Sequence, residues 1–146
     1  MPHVLQTAWT QDYNTQVLQC LRSSSTSKGQ YAPVIGLFEA QAKRGEPLTI
    51  VGDGEERIDF THVNDVVEAN MNAMMTNYSG MVVNVGTGVN HSVNEVASYI
   101  SDNTVNIPER PGEARVTLCD ISEAKENIGY EPKVNIGDYV KEVISE

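Results

Sequence analysis

Apolar positions become regular only after Pro33, and from there they alternate between helical and extended spacing. Val34, Ile35, Leu37, Phe38 and Ala42 fall on one helical face, closed by Lys43-Arg44-Gly45 with its basic residues at the negative end of the helix dipole. Leu48-Thr49-Ile50-Val51 reads as a short strand stopped by Gly52-Asp53-Gly54. Asp59-Phe60-Thr61-His62-Val63 reads as a second extended piece. Asn64 or Asp65 then caps a helix carrying Val66, Val67, Ala69, Met71, Ala73 and Met74. Met81-Val82-Val83-Asn84-Val85 has the composition of a buried strand and runs into Gly86-Thr87-Gly88. Ser92-Val93-Asn94-Glu95 is a capping-box pattern ahead of Val96, Ala97, Tyr99 and Ile100. Val116-Thr117-Leu118-Cys119 is a further strand candidate, Asp120-Ile121-Ser122-Glu123 caps a helix ending at Gly129, and a last helix covers Ile136 to Ile144. Strands alternating with helices predict an α/β fold.

Residues 1–29 follow another pattern. Gln and Thr recur, Val17-Leu18-Gln19-Cys20-Leu21 suits a short strand, and Ser23-Ser24-Ser25-Thr26-Ser27-Lys28-Gly29 is polar and without periodicity. The expected organisation is a divergent segment over 1–29 and one domain over 30–146, in keeping with a 146-residue chain.

Composition narrows the function. Twenty acidic against 10 basic residues give a formal charge of -10, and no basic face suited to nucleic acid is visible. No apolar run approaches the ~20 residues of a membrane span, and the first residues do not read as a secretion signal, so a cytoplasmic protein is expected. Cys20 and Cys119 are expected as reduced thiols of a cytosolic protein, and neither has a second Cys or a His at metal-ligand spacing. No metal site is expected. In so acidic a chain, an anionic ligand must be held by a few local arginines.

Two segments could supply them. Gly52-Asp53-Gly54-Glu55-Glu56-Arg57 is a strand-end turn with three carboxylates and an arginine, and most such turns are only turns. Glu109-Arg110-Pro111-Gly112-Glu113-Ala114-Arg115 holds two arginines across a Pro-Gly turn. A guanidinium held there could present a planar fork to a phosphate. On spacing alone, a surface loop with local ion pairs explains it as well. His3, His62 and His91 are isolated, no nucleophile elbow surrounds the serines, and Met71, Met74, Met75 and Met81 are expected as core filler.

Taken in order, G-Q-Y-A-P-V-I-G-x-F, P-L-T-I-V-G-D-G-E, D-F-T-H-V-N-D-V-V-E-A, V-N-V-G-T-G, E-R-P-G-E-A-R and D-I-S-x-A-K-x-x-I-G-Y-E-P-K-V resemble the C-terminal half of the NAD-dependent epimerase/dehydratase family. These are extended short-chain dehydrogenases/reductases, UDP-glucose 4-epimerase-like among them. The likeness covers about Ser24 to Val143. It implies the small nucleotide-sugar-binding domain of such an enzyme, without the Rossmann domain, and Tyr13 to Arg22 would echo the last Rossmann strand. By the same resemblance, Arg110 would contact the diphosphate and Glu113 the ribose. Thr49, Ile50 and Val51 would line the base pocket, with Val34 and Ile35 packed near it. Asn84 and Gly86 would lie toward the sugar. Ser92 and Asp65 would be helix caps with no ligand role.

One position departs from the family. The Arg of its usual R-D-F triplet is Ile58 here, ahead of Asp59-Phe60, and Arg57 is the adjacent substitute. Loss of one charge-assisted contact costs about 1.5–3 kcal/mol. The chemistry is missing as well. The chain has no Gly-rich dinucleotide fingerprint, and none of Tyr13, Tyr31, Tyr78, Tyr99, Tyr130 and Tyr139 has a Lys four residues on. The expected function is therefore nucleotide-sugar binding without catalysis by this chain alone. No catalytic residue is expected, and NAD would be bound only by the missing domain. The expected partners are a nucleoside-diphosphate sugar and either a second copy or a separate Rossmann subunit. The alternative is a non-catalytic interaction module, or a folded gene fragment without enzymatic role.

Overall fold

The computed structural model describes residues 8–10, 13–18, 34–77, 80–109 and 115–145. In chain order the elements are β1 (Ala8–Thr10), β2 (Tyr13–Leu18), α1 (Val34–Lys43), β3 (Leu48–Val51), β4 (Arg57–Ile58), α2 (Val63–Met75), β5 (Val82–Asn84), β6 (His91–Ser92), α3 (Val93–Ser98), β7 (Thr104–Ile107), α4 (Ser122–Ile128) and α5 (Ile136–Ser145). This is the α/β architecture that the alternation of patterns predicts. The chain divides into two interleaved compact units. The boundary expected between residues 29 and 30 lies outside the described residues.

One unit takes the described residues within Met1–Leu21, Asp59–Val89 and Leu118–Val134. Its sheet has the order β1-β2-β5. β2 and β5 run parallel with Val17 opposite Val83, and β1 is antiparallel to β2. The expected strand over Val17–Leu21 is thus observed as Tyr13–Leu18, and Gln19–Leu21 lie outside the described residues. α2 packs on β2, and α4 packs on β5 and on α2. Between them lies a core of Ala69, Ala73, Val83, Val85, Ile121, Ala124, Ile128 and Tyr130. Small alanines four apart on α2 let the helix approach the core closely. Gly129, at φ 63°, ends α4 in the left-handed region, and Tyr130 N–H donates to the Ala124 carbonyl at 3.1 Å.

The helix starts differ from expectation. α2 is capped by His62, whose Nδ1 accepts from Asn64 N–H at 3.1 Å, and not by Asn64 or Asp65. Asp65 lies inside the first turn, 1% exposed, and its carboxylate accepts from Lys133 N–H at 3.0 Å and Val134 N–H at 3.2 Å. A carboxylate taken by a distant backbone segment cannot also cap its own helix. α4 begins after Ile121 with no side-chain cap, because the Asp120 carboxylate is taken by the amide and hydroxyl of Ser122. The strand over Met81–Val85 is buried only on alternate positions: Val83 and Val85 are inside, Val82 and Asn84 outside. The methionines of α2 are not core filler either. Met71, Met74 and Met75 are exposed, and only Met81 touches the core.

The second unit takes the described residues within Arg22–Ile58, Asn90–Thr117 and Asn135–Glu146. β3 and β7 form a parallel pair with Leu48 opposite Thr104 and Val51 opposite Ile107. β4 and β6 form a short antiparallel pair. Phe38, Leu48, Ile50, Val93, Val96, Ala97, Ile136 and Val140 are buried; α1, α3 and α5 pack on one another, and α1 and α3 on β3. Gln41 latches α1 to β3: its Nε2 donates to Thr49 Oγ1 at 2.7 Å, and its Oε1 accepts from Thr49 N–H at 3.0 Å. α3 carries the predicted capping box, with Glu95 N–H donating to Ser92 Oγ and Ser92 N–H to the Glu95 carboxylate, both at 3.0 Å.

Two strand expectations fail here. Val116–Cys119 forms only a single parallel bridge, Arg57 to Val116, because Cys119 N–H turns to the Asp59 carboxylate at 3.2 Å instead of continuing a ladder. The paired strand is β7, whose Thr104, Val105 and Asn106 are all exposed and leave no alternating pattern to read. The extended piece expected over Asp59–Val63 forms no paired strand: His62 alone in it is bridged, extended at φ -76° and ψ 146°, α2 starts at Val63, and the paired residues are Arg57–Ile58, just before it.

Candidate functional site

Among the expected site residues, Val34, Ile35, Thr49, Ile50, Val51 and Arg57 fall in the second unit, and Asn84 and Gly86 in the first. Arg110 and Glu113 lie outside the described residues. Val34 and Ile35 form the half-buried first turn of α1, which packs on β3. On β3, Ile50 is buried while Thr49 and Val51 are half-buried. The Thr49 hydroxyl already accepts from Gln41, so of this trio Val51 offers the least committed side chain.

Beyond β3 the chain turns through Gly52 and Gly54, at φ 62° and 74°. Gly54 is required: a Cβ there would lie 2.1 Å from Asn94 Oδ1 and 2.7 Å from Ile50 Cγ2. The turn is fastened to the end of β7, since Gly52 N–H donates to the Ile107 carbonyl at 2.8 Å and Asn106 Nδ2 to the Gly52 carbonyl at 2.9 Å. Asn94 Nδ2 adds bonds to the Asp53 carbonyl at 2.9 Å and to Glu55 Oε1 at 2.7 Å.

Arg57 follows on β4, and all three guanidinium nitrogens donate to its own chain. Nε donates to Asn90 Oδ1 and Nη2 to the Asn90 carbonyl, both at 3.0 Å, and Nη1 pairs with Glu95 Oε1 at 3.2 Å. His91 Nδ1 stands 3.4 Å from the same Glu95 carboxylate. Glu95 is held below the usual carboxylate range, first by the Ser92 amide and then by Arg57. Ile58, in the position where the resembled family has Arg, is half-buried and apolar. Arg115 is engaged too: Nη1 lies 2.8 Å from Asp53 Oδ1 and 3.6 Å from Glu56 Oε1, and Nε lies 3.8 Å from Glu109 Oε1. The Arg115 hydrogen bond, with help from the Glu55 amide, lowers the Asp53 pKa.

In the first unit, Asp59 is the hub that sequence reading missed. Its buried carboxylate accepts from Thr87 N–H (2.9 Å), Thr87 Oγ1 (2.6 Å), Gly88 N–H (3.0 Å) and Cys119 N–H (3.2 Å). The signal was an acid between two extended patterns with a G-T-G turn later in the chain, which strand periodicity masked. Gly86 is buried against Cys119 and Asp59: a Cβ on it would come 2.3 Å from Cys119 Cβ and 2.9 Å from Asp59 Oδ2. Its carbonyl accepts from the buried Tyr130 hydroxyl at 2.8 Å. Desolvation, and then Asp59 and Asp120, push the Cys119 thiol up to about 11. Desolvation, and then Asp65 and Asp59, raise Tyr130. Asn84 projects outward at the end of β5.

A Gly-rich turn binds pyrophosphate through free backbone amides. The amides of Thr87 and Gly88 are already taken by Asp59, and the space over Gly86 is filled by Cys119. The Gly86–Gly88 turn therefore does not fit NAD.

A family model described as GDP-mannose 4,6 dehydratase matches residues 2–143. A putative UDP-glucose 4-epimerase of Methanocaldococcus jannaschii is 32% identical over 124 residues, covering 81% of this chain and 39% of the relative. Among solved structures, the UDP-glucose 4-epimerase of Thermotoga maritima with UDP-glucose superposes at a TM-score of 0.80 and 32% identity, over 90% of this chain and 44% of that one. MoeE5 in complex with UDP-glucuronic acid and NAD superposes at 0.75 and 28% identity, over 86% and 44%. The chain thus spans about two-fifths of the length of the proteins it matches. Among the described residues, no helix is long and apolar enough to cross a membrane.

Proposed function

The chain belongs to the GDP-mannose 4,6 dehydratase family, among the NAD-dependent extended short-chain dehydrogenases/reductases, and from that premise we propose that it binds a nucleoside-diphosphate sugar without transforming it alone. The observation that carries the reading is the likeness of the fold, at a TM-score of 0.80, to an epimerase solved with UDP-glucose. The binding surface is assigned to the second unit. There β3 presents Val51 beside Thr49 and Ile50, the first turn of α1 supplies Val34 and Ile35, and Arg110 and Glu113 take the diphosphate and the ribose. Arg57 belongs to this region as a strut, not as a phosphate ligand, because its donors are held by Asn90 and Glu95.

With Ile58 where the family has Arg, and with Arg57 and Arg115 both paired, the diphosphate contact is assigned to Arg110. A lost charge-assisted contact of about 1.5–3 kcal/mol lowers affinity roughly ten- to a hundredfold or somewhat more. No step of sugar oxidation is assigned to this chain. NAD supplies hydride transfer in the family when bound, and this chain's Gly86–Gly88 turn is closed to it. Reaction would need an NAD-binding Rossmann domain. Titration calorimetry with UDP-, dTDP- and GDP-sugars tests the binding, and absence of heat with all of them would rule it out.

A second reading, a non-catalytic interaction module, is favoured by one observation. Val67, Met71, Met74 and Met75 follow helical spacing along α2 and are exposed by 54% to 82%. An uncharged, flexible apolar stripe on a strongly acidic chain is suited to pairing with a second copy. Light scattering would show a discrete dimer under this reading, and a strict monomer at high concentration would count against it.

A further inference from the structure

We propose that α2 is the contact between two copies of this chain, the two helices crossing antiparallel about a twofold axis at Met71. The inference deepens the pairing reading above and rests on it. Val67, Met71 and Met75 are spaced four apart and form one ridge along α2, with Met74 beside it. The ridge lies on the side turned away from Ala69 and Ala73, which meet the core. Ridges of this spacing pack into the matching grooves of another helix at a crossing angle of about -50°, the commonest class of helix pair. With a twofold axis through Met71, Val67 of one copy meets Met75 of the other, and Met71 meets itself. Unbranched, polarizable methionines adapt readily to such a self-contact.

Charge decides which occupant the face suits. Two chains of net charge -10 repel, so a self-contact needs a surface without uncompensated charge. α2 meets that condition. Its charged residues are Asp65 and Glu68. Asp65 is buried, and its carboxylate accepts from the Lys133 and Val134 amides. Glu68 pairs with Lys133 Nζ at 2.6 Å. Asn70 and Asn72 turn back to the Val66 and Gly129 carbonyls, at 2.8 Å and 3.3 Å. A basic partner would find the carboxylates of α2 already taken, whereas an acidic partner meets no repulsion there. A second copy is such an acidic partner, and it brings the same apolar ridge.

The contact is small. A helix of 13 residues is about 20 Å long, and one face of it supplies roughly half or less of the ~800 Å² that each partner buries in a standard interface. The dimer is accordingly of the weak, reversible class, and its population rises with concentration.

Sedimentation velocity of the full chain over a concentration series tests this. It compares wild type with Met71→Lys, Val67→Lys, Met75→Glu and the double variant Val67→Lys/Met75→Glu. Wild type should show a reversible monomer–dimer equilibrium. Met71→Lys brings two ammonium groups together on the axis and should weaken dimerisation about tenfold or more. Each of the other single variants should weaken it several-fold. The double variant should recover most of that loss, because each new ammonium then faces a new carboxylate across the interface. Within one helix these two positions are eight residues apart, about 12 Å, too far to pair with each other. Salt at about 0.5 M should shrink the recovery. Unfolding midpoints of all variants in dilute solution should match wild type, since the substituted side chains are exposed. A dimer that persists in Met71→Lys, or single-variant losses that simply add in the double variant, would overturn the proposal while leaving the pairing reading intact. Wild type that is monomeric at every concentration would defeat both, and binding of that monomer to phosphatidylcholine vesicles would assign the stripe to a lipid surface instead.

Discussion

Two glycine-bracketed turns, Gly52-Asp53-Gly54 and Gly86-Thr87-Gly88, look alike in sequence and do opposite things. In Gly86–Gly88 the backbone amides turn to a buried acid. Asp59 takes the Thr87 and Gly88 amides, Cys119 packs over Gly86, and Tyr130 holds its carbonyl. In Gly52–Gly54 the carboxylate sits on the turn itself, is 54% exposed, and reaches out to Arg115. The first turn is closed by a buried acid supplied from elsewhere in the chain. The second is held by bonds to the end of β7 and to Asn94, with its own carboxylate at the surface. A G-x-G pattern therefore identifies a tight turn, and the position of the nearest carboxylate decides whether its amides remain available.

The largest expected effect is at the buried acid. Asp59→Ala leaves the Thr87, Gly88 and Cys119 amides without their acceptor and should cost about 3 kcal/mol or more in urea unfolding. A cost below about 1 kcal/mol would erase the distinction between the two turns. Next comes Gly54→Ala, at about 2 kcal/mol, because the left-handed backbone and the overlap with Asn94 and Ile50 both oppose a Cβ. Gly45→Ala, at φ 68° with nothing within 4 Å, should cost only about 1 kcal/mol and separates backbone strain from overlap.

Acid unfolding gives a smaller effect of definite sign. Asp53 and Glu95 both titrate below their ordinary values of 3.8 and 4.5 in the folded chain. A depressed folded pKa contributes stability above the unfolded value, lost as pH falls through the folded one. Wild type should thus lose stability progressively below about pH 4.5, and Glu95→Gln should flatten part of that slope in urea titrations between pH 6 and 3. The smallest effect is at Met75. Being 82% exposed, Met75→Lys should change the unfolding midpoint little, within about 0.5 kcal/mol, while reducing any self-association seen by light scattering.

Helix α1, strand β3, the Ser92 capping box and the Gly129 stop were legible because each depends on residues close in sequence. The family was legible from the order of its motifs. What escaped reading depends on partners far along the chain. Asp59 is drawn out of a strand by Thr87, Gly88 and Cys119, and Asp65 is drawn away from its helix cap by Lys133 and Val134. β7 carried no alternation because it pairs along one edge with both faces largely open. The α2 methionines were read as core filler since helical spacing reveals a stripe without saying which side of it meets the core. Arg57 was legible as a candidate cation, but only its neighbours Asn90 and Glu95 show that it is engaged.

The most direct measurement is a proton NMR time course of UDP-glucose mixed with the purified chain and NAD. The account predicts broadening of the ligand's nucleotide and sugar signals with no new anomeric or 4-keto species over hours. Growth of signals from a converted sugar, with no other protein added, would contradict it.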